Sequence, residues 1–194
     1  MQRNYDFVLG WFNNGPWNDG DYPQTLKDTL GSDILPTLTQ AEKDLIKGSC
    51  DFFAIDGYTA YYAFGLPDFE ACVSNSSYPG YPECAGSAST DPDGFPIGPS
   101  GDPAVNWLYD TPIGIRRFLK TITTKLFPSV PDIVVTEFGF AEPFESQQPN
   151  LNAVLWDLRR SDYYQSYLDN ILASIVYDGV NVTGAWGWAI FDSK

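Results

Sequence analysis

The side chains of this sequence that could carry out a reaction lie in or directly after apolar runs that predict strands. Glu137 lies near the end of one such run, residues 132–139, while Asp56 and Tyr58 follow a second run. Trp188 belongs to a third apolar stretch late in the chain. A carboxylate can attack an anomeric carbon, a phenol can hold that carboxylate by a hydrogen bond, and an indole can stack on a sugar ring. The combination favours chemistry on a sugar.

Composition removes several other kinds of chemistry. The 194 residues include no histidine, which excludes Ser-His-Asp triads, Cys-His dyads and histidine-ligated metals. We therefore predict no metal and no cofactor, and we expect carboxylates or tyrosines to carry out any acid–base step. A net charge of −14 repels phosphate backbones and anionic membrane surfaces, so neither nucleic acid nor a membrane is an expected partner.

The candidate residues require a scaffold in which parallel strands alternate with helices. Apolar runs predict strands over residues 50–55, 132–136 and about 180–191. Between them, helical spacing predicts an amphipathic helix from Thr111 to about Leu126 and a second from about Ser161 to Tyr177. The resulting order of strand, helix, strand, helix, strand predicts an α/β fold that forms an arc of a (β/α)8 barrel, whose active face lies at the carboxyl ends of the strands. A doubly wound sheet is the alternative, but the glycine-rich phosphate turn that it predicts does not occur.

Local signals add detail to this scheme. A short helix is predicted from Pro23 to Gly31, and the capping box Thr39-Gln40-Ala41-Glu42 predicts a helix that runs to about Lys47. Residues 65–103 show little periodicity and are interpreted as one long loop. Within the helix over residues 161–177, one apolar side is expected to contain Tyr164, Tyr167, Leu168, Ile171, Leu172 and Ile175.

Three cysteines bear on the compartment in which the protein folds. Cys72 and Cys84 flank an Asn75-Ser76-Ser77 acceptor pattern for N-glycosylation, whereas Cys50 opens a predicted strand and is expected to be buried. Either Cys72 and Cys84 form a disulfide and the protein is extracellular, with Asn75 glycosylated, or both are free thiols and it is cytoplasmic. A second acceptor pattern, at Asn181, lies in a predicted strand and is discounted.

Beyond these individual signals, a series of motifs in chain order resembles glycoside hydrolase family 1, the β-glucosidase family, and most closely its fungal members. The resemblance covers nearly the whole chain. It rests on Val8-Leu9-Gly10-Trp11-Phe12, Gly20-Asp21-Tyr22-Pro23, Leu35-Pro36, Ile46-Lys47-Gly48-Ser49, Asp51-Phe52-Phe53, Tyr58-Thr59, Thr111-Pro112-Ile113-Gly114-Ile115-Arg116, Val135-Thr136-Glu137-Phe138-Gly139, Arg159-Arg160, Tyr163-Tyr164, Tyr167-Leu168, Asp178-Gly179-Val180 and Trp186-Gly187-Trp188.

The resemblance implies a role for each candidate residue. Glu137 matches the catalytic nucleophile of the family, in the pattern Thr-Glu-x-Gly, and Tyr58 matches the tyrosine that donates a hydrogen bond to it. Trp188 matches the indole under the glucose, and Asp56 stands where the family usually has an asparagine near the sugar. Phe138 is a further departure, because the family usually has asparagine directly after the nucleophile. Both departures bear on substrate preference.

The resemblance also implies a carboxylate that this sequence lacks. A retaining glycosidase uses a second carboxyl group, about 5–5.5 Å from the nucleophile, as acid and then as base. In the family this residue follows an asparagine on an earlier strand, and no Asn-Glu pair occurs among these residues. Glu142 and Glu145 lie in the loop after the nucleophile and are expected to be solvated rather than catalytic.

Three hypotheses follow for residues 1–194, interpreted as the last three strands, with their helices and long loops, of one partial TIM barrel domain. In the first, the parent protein is a retaining β-glucosidase that acts on a β-glucoside or cello-oligosaccharide, while this chain alone is inactive. In the second, the chain is a non-catalytic truncated fragment with residual sugar binding. In the third, it is one segment of a split enzyme, whose partner is the missing N-terminal barrel segment.

Overall fold

The computed structural model describes residues 2–189, which form two compact units. The first unit comprises residues 2–51, 62–88 and 122–130, and the second comprises residues 52–61, 89–121 and 131–189. The strands are β1 (Phe53–Asp56), β2 (Tyr62–Gly65), β3 (Ala85–Ala88), β4 (Ile133–Phe138) and β5 (Val182–Gly187). The main helices are α1 (Gln24–Leu30), α2 (Gln40–Ile46), α3 (Phe69–Ser74), α4 (Pro112–Thr121), α5 (Leu151–Leu155) and α6 (Leu158–Asp178). None of the described helices is long and apolar enough to cross a membrane.

The first unit begins with a helical run in which α and π turns alternate. Its segments are Gln2–Tyr5, Asp6–Gly10, Trp11–Asn14 and Gly15–Asp19, and a further π turn forms over Ile122–Leu126. Phe7 from this run packs with Leu26 and Leu35 in a buried cluster. The two predicted short helices are confirmed as α1 and α2. Thr39 caps α2 with the expected reciprocal hydrogen bonds to Glu42, which satisfy backbone groups left open at a helix start.

Residues 62–88, also in the first unit, contain regular structure that the loop prediction for 65–103 missed. Strands β2 and β3 pair antiparallel, and α3 lies between them along the chain. Cys72 of α3 forms a disulfide with Cys84, and the two Cα atoms are 5.8 Å apart. The prediction failed because the hairpin strands are only four residues each and are mostly exposed, so they leave no apolar period in the sequence.

The second unit is built on a three-stranded parallel sheet in the order β1-β4-β5. Strand β4 is central, and its Ile133, Val135 and Phe138 are buried. Along the chain, α4 connects β1 to β4 and α6 connects β4 to β5, which gives the two consecutive β-α-β units that the sequence predicts. Of the predicted last strand, residues 180–191, the structure forms Val182–Gly187, and residues 190 and 191 lie outside the described residues.

The free cysteine departs from its prediction. Strand β1 begins at Phe53 rather than at Cys50, so Cys50 lies in the loop before the strand and is exposed rather than buried. The inward position at the start of β1 is taken by Phe53, which is 3% exposed. The prediction was wrong because the apolar run was extended three residues too far toward the amino terminus.

Helix α6 buries a different stripe from the one predicted. The buried residues are Tyr163, Tyr167, Ile171 and Ser174, which recur at helical spacing. Tyr167 and Ile171 agree with the prediction, but Leu168, Leu172 and Ile175 are exposed. These three each lie one position beyond a buried residue and are therefore rotated by about 100° around the helix axis.

Two ion pairs between α4 and α6 involve a single carboxylate. Arg116 Nε lies 2.7 Å from Asp178 Oδ2, and Lys120 Nζ lies 2.9 Å from Asp178 Oδ1. The hydrogen bonds from Arg116 and then from Lys120 lower the pKa of Asp178 to about 2. The pairs join the end of α6, where Gly179 adopts a left-handed conformation as the cap, to the middle and the last turn of α4.

Candidate active site

The carboxyl ends of β1 and β4 place Asp56 and Glu137 side by side. The two residues are register partners in the parallel pair, and the Gly57 N–H donates to the Glu137 carbonyl at 2.8 Å. The register shifts by one residue between Ile55 and Asp56, which ends the regular ladder at this point. The Asp56 carboxylate accepts a hydrogen bond of 2.7 Å from the Thr136 hydroxyl. One carboxylate oxygen of Asp56 is therefore already hydrogen-bonded to a side chain of the neighbouring strand β4.

Tyr58 contacts the Glu137 carboxylate directly. Its hydroxyl donates to Glu137 Oε2 at 2.7 Å, the short distance expected of a hydrogen bond to a charged acceptor. Burial, and then the hydrogen bond and negative charge of Glu137, raise the pKa of Tyr58 well above 10. The phenol therefore stays protonated and remains a donor, which leaves the second carboxylate oxygen of Glu137 available to a ligand.

Two tyrosines of α6 hold the backbone of Tyr58 in place. The hydroxyls of Tyr163 and Tyr167 donate to the Tyr58 carbonyl at 2.9 and 2.7 Å, and their rings stack with centroids 4.1 Å apart. Burial raises the pKa of both phenols, so both stay neutral donors. The sequence prediction placed Tyr167 on the core side of its helix but did not connect it with the site. The spacing of four residues between two buried tyrosines was the available signal.

Trp107 forms an aromatic wall beside Tyr58 that the sequence prediction missed. The two rings meet edge to face, with centroids 5.8 Å apart and planes at 85°. The Trp107 carbonyl accepts a hydrogen bond from the Tyr61 hydroxyl, and the indole remains 46% exposed. A half-exposed indole packed against Tyr58 offers an apolar face to a ligand that reaches Glu137. No periodicity marks Trp107 in the sequence, because it lies in a turn before Leu108 rather than in a helix or strand.

Trp188 follows β5 and is fixed to the end of β4 through its backbone. Its N–H donates to the Phe138 carbonyl at 2.7 Å, and its own carbonyl accepts from the Tyr164 hydroxyl at 2.6 Å. Gly139 makes this approach possible, since a Cβ atom there would lie 2.0 Å from the Trp188 carbonyl oxygen. The indole is 51% exposed. Asp56, Tyr58, Glu137 and Trp188, the four residues singled out in the sequence, all lie at the carboxyl ends of the three parallel strands.

Comparison with known proteins agrees with this geometry. The sequence profile of Glycosyl hydrolase family 1 matches residues 1–194. The chain belongs to glycosyl hydrolase family 1. This confirms the resemblance seen in the sequence and the α/β fold with parallel strands that it implies.

Individual relatives of this family 1 chain are β-glucosidases of plants and fungi. It is 35% identical to raucaffricine-O-β-D-glucosidase of Rauvolfia serpentina over 191 residues, 98% of this chain and 34% of that protein. It superimposes on β-glucosidase 2 of the fungus Trichoderma reesei with a TM-score of 0.81 at 31% identity, over 98% of this chain and 38% of the other. For a glucose-bound family 1 β-glucosidase of the fungus Humicola insolens, the TM-score is 0.82 at 30% identity, over 97% and 37%. The chain thus spans about a third of the length of its curated relatives.

The loop after β4 of this family 1 chain differs from its prediction. Glu145 was expected to be solvated, but it lies 2.6 Å from the Arg160 guanidinium in an ion pair. Glu142 was also expected to be solvated, yet its Oε2 is buried and has no hydrogen-bond partner among the described residues. Burial raises the pKa of Glu142. Glu142 lines a cleft of about 390 Å³ together with Phe144 and Arg159. Part of this loop is therefore packed against other residues and is not fully solvated.

Within residues 2–189, no group of three or more His, Cys, Asp or Glu side chains is arranged to hold a metal ion. The chemistry available at the strand ends is that of a carboxylate held by a phenol. Glu137 can present one oxygen as a nucleophile while Tyr58 fixes the other, and Trp107 and Trp188 supply apolar surfaces.

Proposed function

We propose that the protein to which this chain belongs is a retaining β-glucosidase and that Glu137 is its nucleophile. The observation that carries the proposal is the 2.7 Å hydrogen bond from the Tyr58 hydroxyl to Glu137, at the carboxyl ends of parallel strands in a member of glycosyl hydrolase family 1. The relatives support the same reaction, since the similar proteins of Trichoderma reesei and Humicola insolens are β-glucosidases.

In the first step of the proposed reaction, the free oxygen of Glu137 attacks the anomeric carbon of a β-glucoside. A bond forms between this carbon and Glu137, the bond to the aglycone oxygen breaks, and that oxygen takes a proton from an acid. Water then attacks the same carbon, gives its proton to the conjugate base and releases Glu137 as a carboxylate. Tyr58 would keep the carboxylate oriented through both steps because it stays protonated.

Asp56 and Trp188 are proposed to bind the sugar. The Asp56 side chain is exposed, and the oxygen not engaged by Thr136 can accept a hydrogen bond from a sugar hydroxyl. The half-exposed indole of Trp188 can stack on the apolar face of the pyranose. An aspartate in place of the family's usual asparagine accepts hydrogen bonds but donates none, so a substrate hydroxyl at this position must be the donor.

The acid/base residue is proposed to lie outside these 194 residues. Of the acids near the site, Asp56 is hydrogen-bonded to Thr136, and Glu145 is paired with Arg160. Glu142 lines the separate cleft with Arg159. Without a partner carboxylate, Glu137 can bind or attack but cannot protonate a leaving group, so the isolated chain is proposed to be inactive.

A partner segment is also proposed from the sheet. Strands β1 and β5 are the edges of the described parallel sheet, and each pairs with only one neighbour there. Exposed sheet edges favour pairing with further strands. Helix α6 also exposes Leu168, Leu172 and Ile175. These features support further barrel strands as the partner, whether in the same polypeptide or in a separate segment.

The test compares hydrolysis of an aryl β-glucoside by the full-length protein, by its Glu137→Gln variant and by the 194-residue chain alone. We expect turnover by the full-length protein, a loss of at least about 1,000-fold in the variant, and no turnover by the chain above that of the variant. Full activity in the Glu137→Gln variant would contradict the nucleophile assignment. Turnover by the isolated chain would contradict the proposed position of the acid/base residue.

A further inference from the structure

The segment between α3 and β3 contains an acceptor pattern that the proposed function does not use. Asn75-Ser76-Ser77 fits Asn-x-Ser with a middle residue other than proline, and all three residues are exposed. Asn75 directly follows the last residue of α3 and is held by a turn, in which its Oδ1 accepts from the Ser77 N–H at 3.0 Å and its carbonyl accepts from the Tyr78 N–H at 2.9 Å.

The turn uses the oxygen of the Asn75 carboxamide and leaves the nitrogen free. Among the described residues, Asn75 Nδ2 donates no hydrogen bond, and the same holds for the Ser77 hydroxyl. A glycan is linked through this nitrogen and is too bulky for a buried site. The side chain is therefore oriented so that a sugar on Nδ2 extends into solvent without breaking a contact of the fold.

The disulfide beside this turn gives independent information about the compartment. Cys72 lies three residues before Asn75, and Cys72 and Cys84 are both buried at 0% and 1% exposure in their disulfide. Disulfides form and persist in oxidising compartments, which include the lumen of the endoplasmic reticulum, and are rare in the cytosol. N-linked glycans are a feature of surface loops in secreted proteins, so the crosslink and the acceptor pattern point to the same pathway.

The second acceptor pattern, Asn181-Val182-Thr183, serves as an internal comparison. Asn181 Nδ2 donates to the Pro131 carbonyl at 2.9 Å, and the Asn181 carbonyl accepts from the Ile133 N–H at 2.8 Å. Side chain and backbone of Asn181 are therefore both tied to the chain that enters β4. A sugar on this nitrogen would replace one of its hydrogens and add bulk beside the β4–β5 pair.

We propose that Asn75 is an N-glycosylation site and the preferred acceptor of the two, in a protein that folds in the secretory pathway with Cys72 and Cys84 bridged. The inference does not depend on the proposed β-glucosidase activity, because it uses neither Glu137 nor its neighbours.

The experiment secretes the full-length protein from yeast and digests it with an endoglycosidase that removes N-linked glycans. Three proteins are compared: the wild type, Ser77→Ala and Thr183→Ala. Ser77→Ala removes a hydroxyl and Thr183→Ala removes a hydroxyl and a methyl group, both from exposed residues. Each substitution destroys one acceptor pattern while its asparagine stays in place. Glycan occupancy at both asparagines is measured by peptide mapping of the secreted protein. Free thiols are alkylated under denaturing, non-reducing conditions, and the same mapping then assigns the state of Cys50, Cys72 and Cys84.

In the expected result, the glycan maps to Asn75 in the wild type and in Thr183→Ala, and the enzyme-sensitive mass shift at this peptide disappears in Ser77→Ala. Occupancy at Asn75 should exceed that at Asn181, the Cys50 peptide should be alkylated, and Cys72 and Cys84 should be recovered as one disulfide-linked pair of peptides. Equal or higher occupancy at Asn181, or an unmodified Asn75 in the secreted wild type, would overturn the proposal. Alkylated Cys72 and Cys84 peptides in the secreted protein would overturn its premise about the compartment.

Discussion

Replacement of Tyr58 by phenylalanine removes a single oxygen atom from the candidate site and leaves the ring in place. The lost atom is the one that donates to Glu137 Oε2 at 2.7 Å. The aromatic edge against Trp107 and the two hydrogen bonds that hold the Tyr58 carbonyl do not involve this oxygen and should persist. We therefore expect the Tyr58→Phe variant to fold normally but to hold the nucleophile less firmly.

The size of the effect follows from the burial and charge of the pair. A hydrogen bond to a charged group contributes about 1.5–3 kcal/mol. Tyr58 and Glu137 are both only half-buried, so water competes for the carboxylate and the lower part of that range, about 1.5–2 kcal/mol, applies. At about 1.4 kcal/mol per factor of ten, we expect kcat/KM to fall by about 10- to 30-fold.

The assay is hydrolysis of an aryl β-glucoside by the full-length protein, with thermal unfolding measured in parallel. Tyr177→Phe is the matched control, because this tyrosine is 76% exposed near the end of α6, and its hydroxyl makes no hydrogen bond to the described residues. The ratio of wild-type to Tyr58→Phe kcat/KM should not change as the pH approaches 10, since the raised pKa of Tyr58 keeps the phenol protonated there. A kcat/KM within twofold of the wild type would refute the argument that Tyr58 orients the nucleophile.

Two further predictions concern the packing and the ion pairs of the second unit. In Gly139→Ala, the added Cβ would lie 2.0 Å from the Trp188 carbonyl oxygen, so we expect about 1–3 kcal/mol of destabilisation in urea unfolding and a loss of activity as Trp188 is displaced. In Asp178→Asn, the pairs with Arg116 and Lys120 are lost. The two ion pairs lower the pKa of Asp178 from 3.8 to about 2. They therefore stabilise the fold above about pH 4, and this stabilisation is lost as the pH falls toward 2. The urea midpoints of wild type and variant should differ at pH 7 and converge in acid.

Each of these substitutions has a control in the same chain. Gly65→Ala adds a Cβ that meets nothing within 4 Å and should be close to neutral. Asp169→Asn changes an exposed acid of the same helix that forms no ion pair with the described residues, so its midpoint should follow that of the wild type at both pH values. An unchanged stability of Gly139→Ala, or a midpoint difference for Asp178→Asn that grows in acid, would contradict the respective prediction.

The parts of the fold that the sequence predicted are those with a strong local signal. Strand β4 was predicted because Ile133, Val134 and Val135 form an apolar β-branched run. The start of α2 followed from the Thr39 capping box, and the end of α6 at Asp178 lies one residue beyond the predicted end near Tyr177, with Gly179 as its left-handed cap. In each case neighbouring residues contain the physical cause, so no tertiary information was needed.

The parts that it did not predict depend on contacts between distant residues. Cys50 is exposed because β1 begins to pair with β4 only at Phe53. The hairpin of β2 and β3 is held by strand pairing and a disulfide, neither of which leaves an apolar pattern in the sequence. Which face of α6 is buried depends on the residues that pack against the helix, including the Tyr58 carbonyl that accepts a hydrogen bond from the Tyr163 hydroxyl. Trp107 likewise adjoins the site only through its packing on Tyr58.

The four candidate site residues could be predicted from the sequence because the family motifs that contain them fall at the ends of predicted strands. Glu137 and Asp56 each follow an apolar run, and parallel strands bring such ends to one edge of the sheet. The hydrogen bond between Tyr58 and Glu137 required coordinates, since it joins residues that are 79 positions apart. The buried carboxylate oxygen of Glu142 was not predictable, because its loop shows no periodicity.

The most direct test of the central assignment is to trap the glycosyl-enzyme bond. The full-length protein is incubated with a 2-fluoro glucoside that carries a good leaving group, digested, and mapped by mass spectrometry. The proposed mechanism predicts a single 2-fluoroglucosyl adduct on Glu137, and no adduct in Glu137→Gln. An adduct on Asp56, Glu142 or any other residue would contradict it.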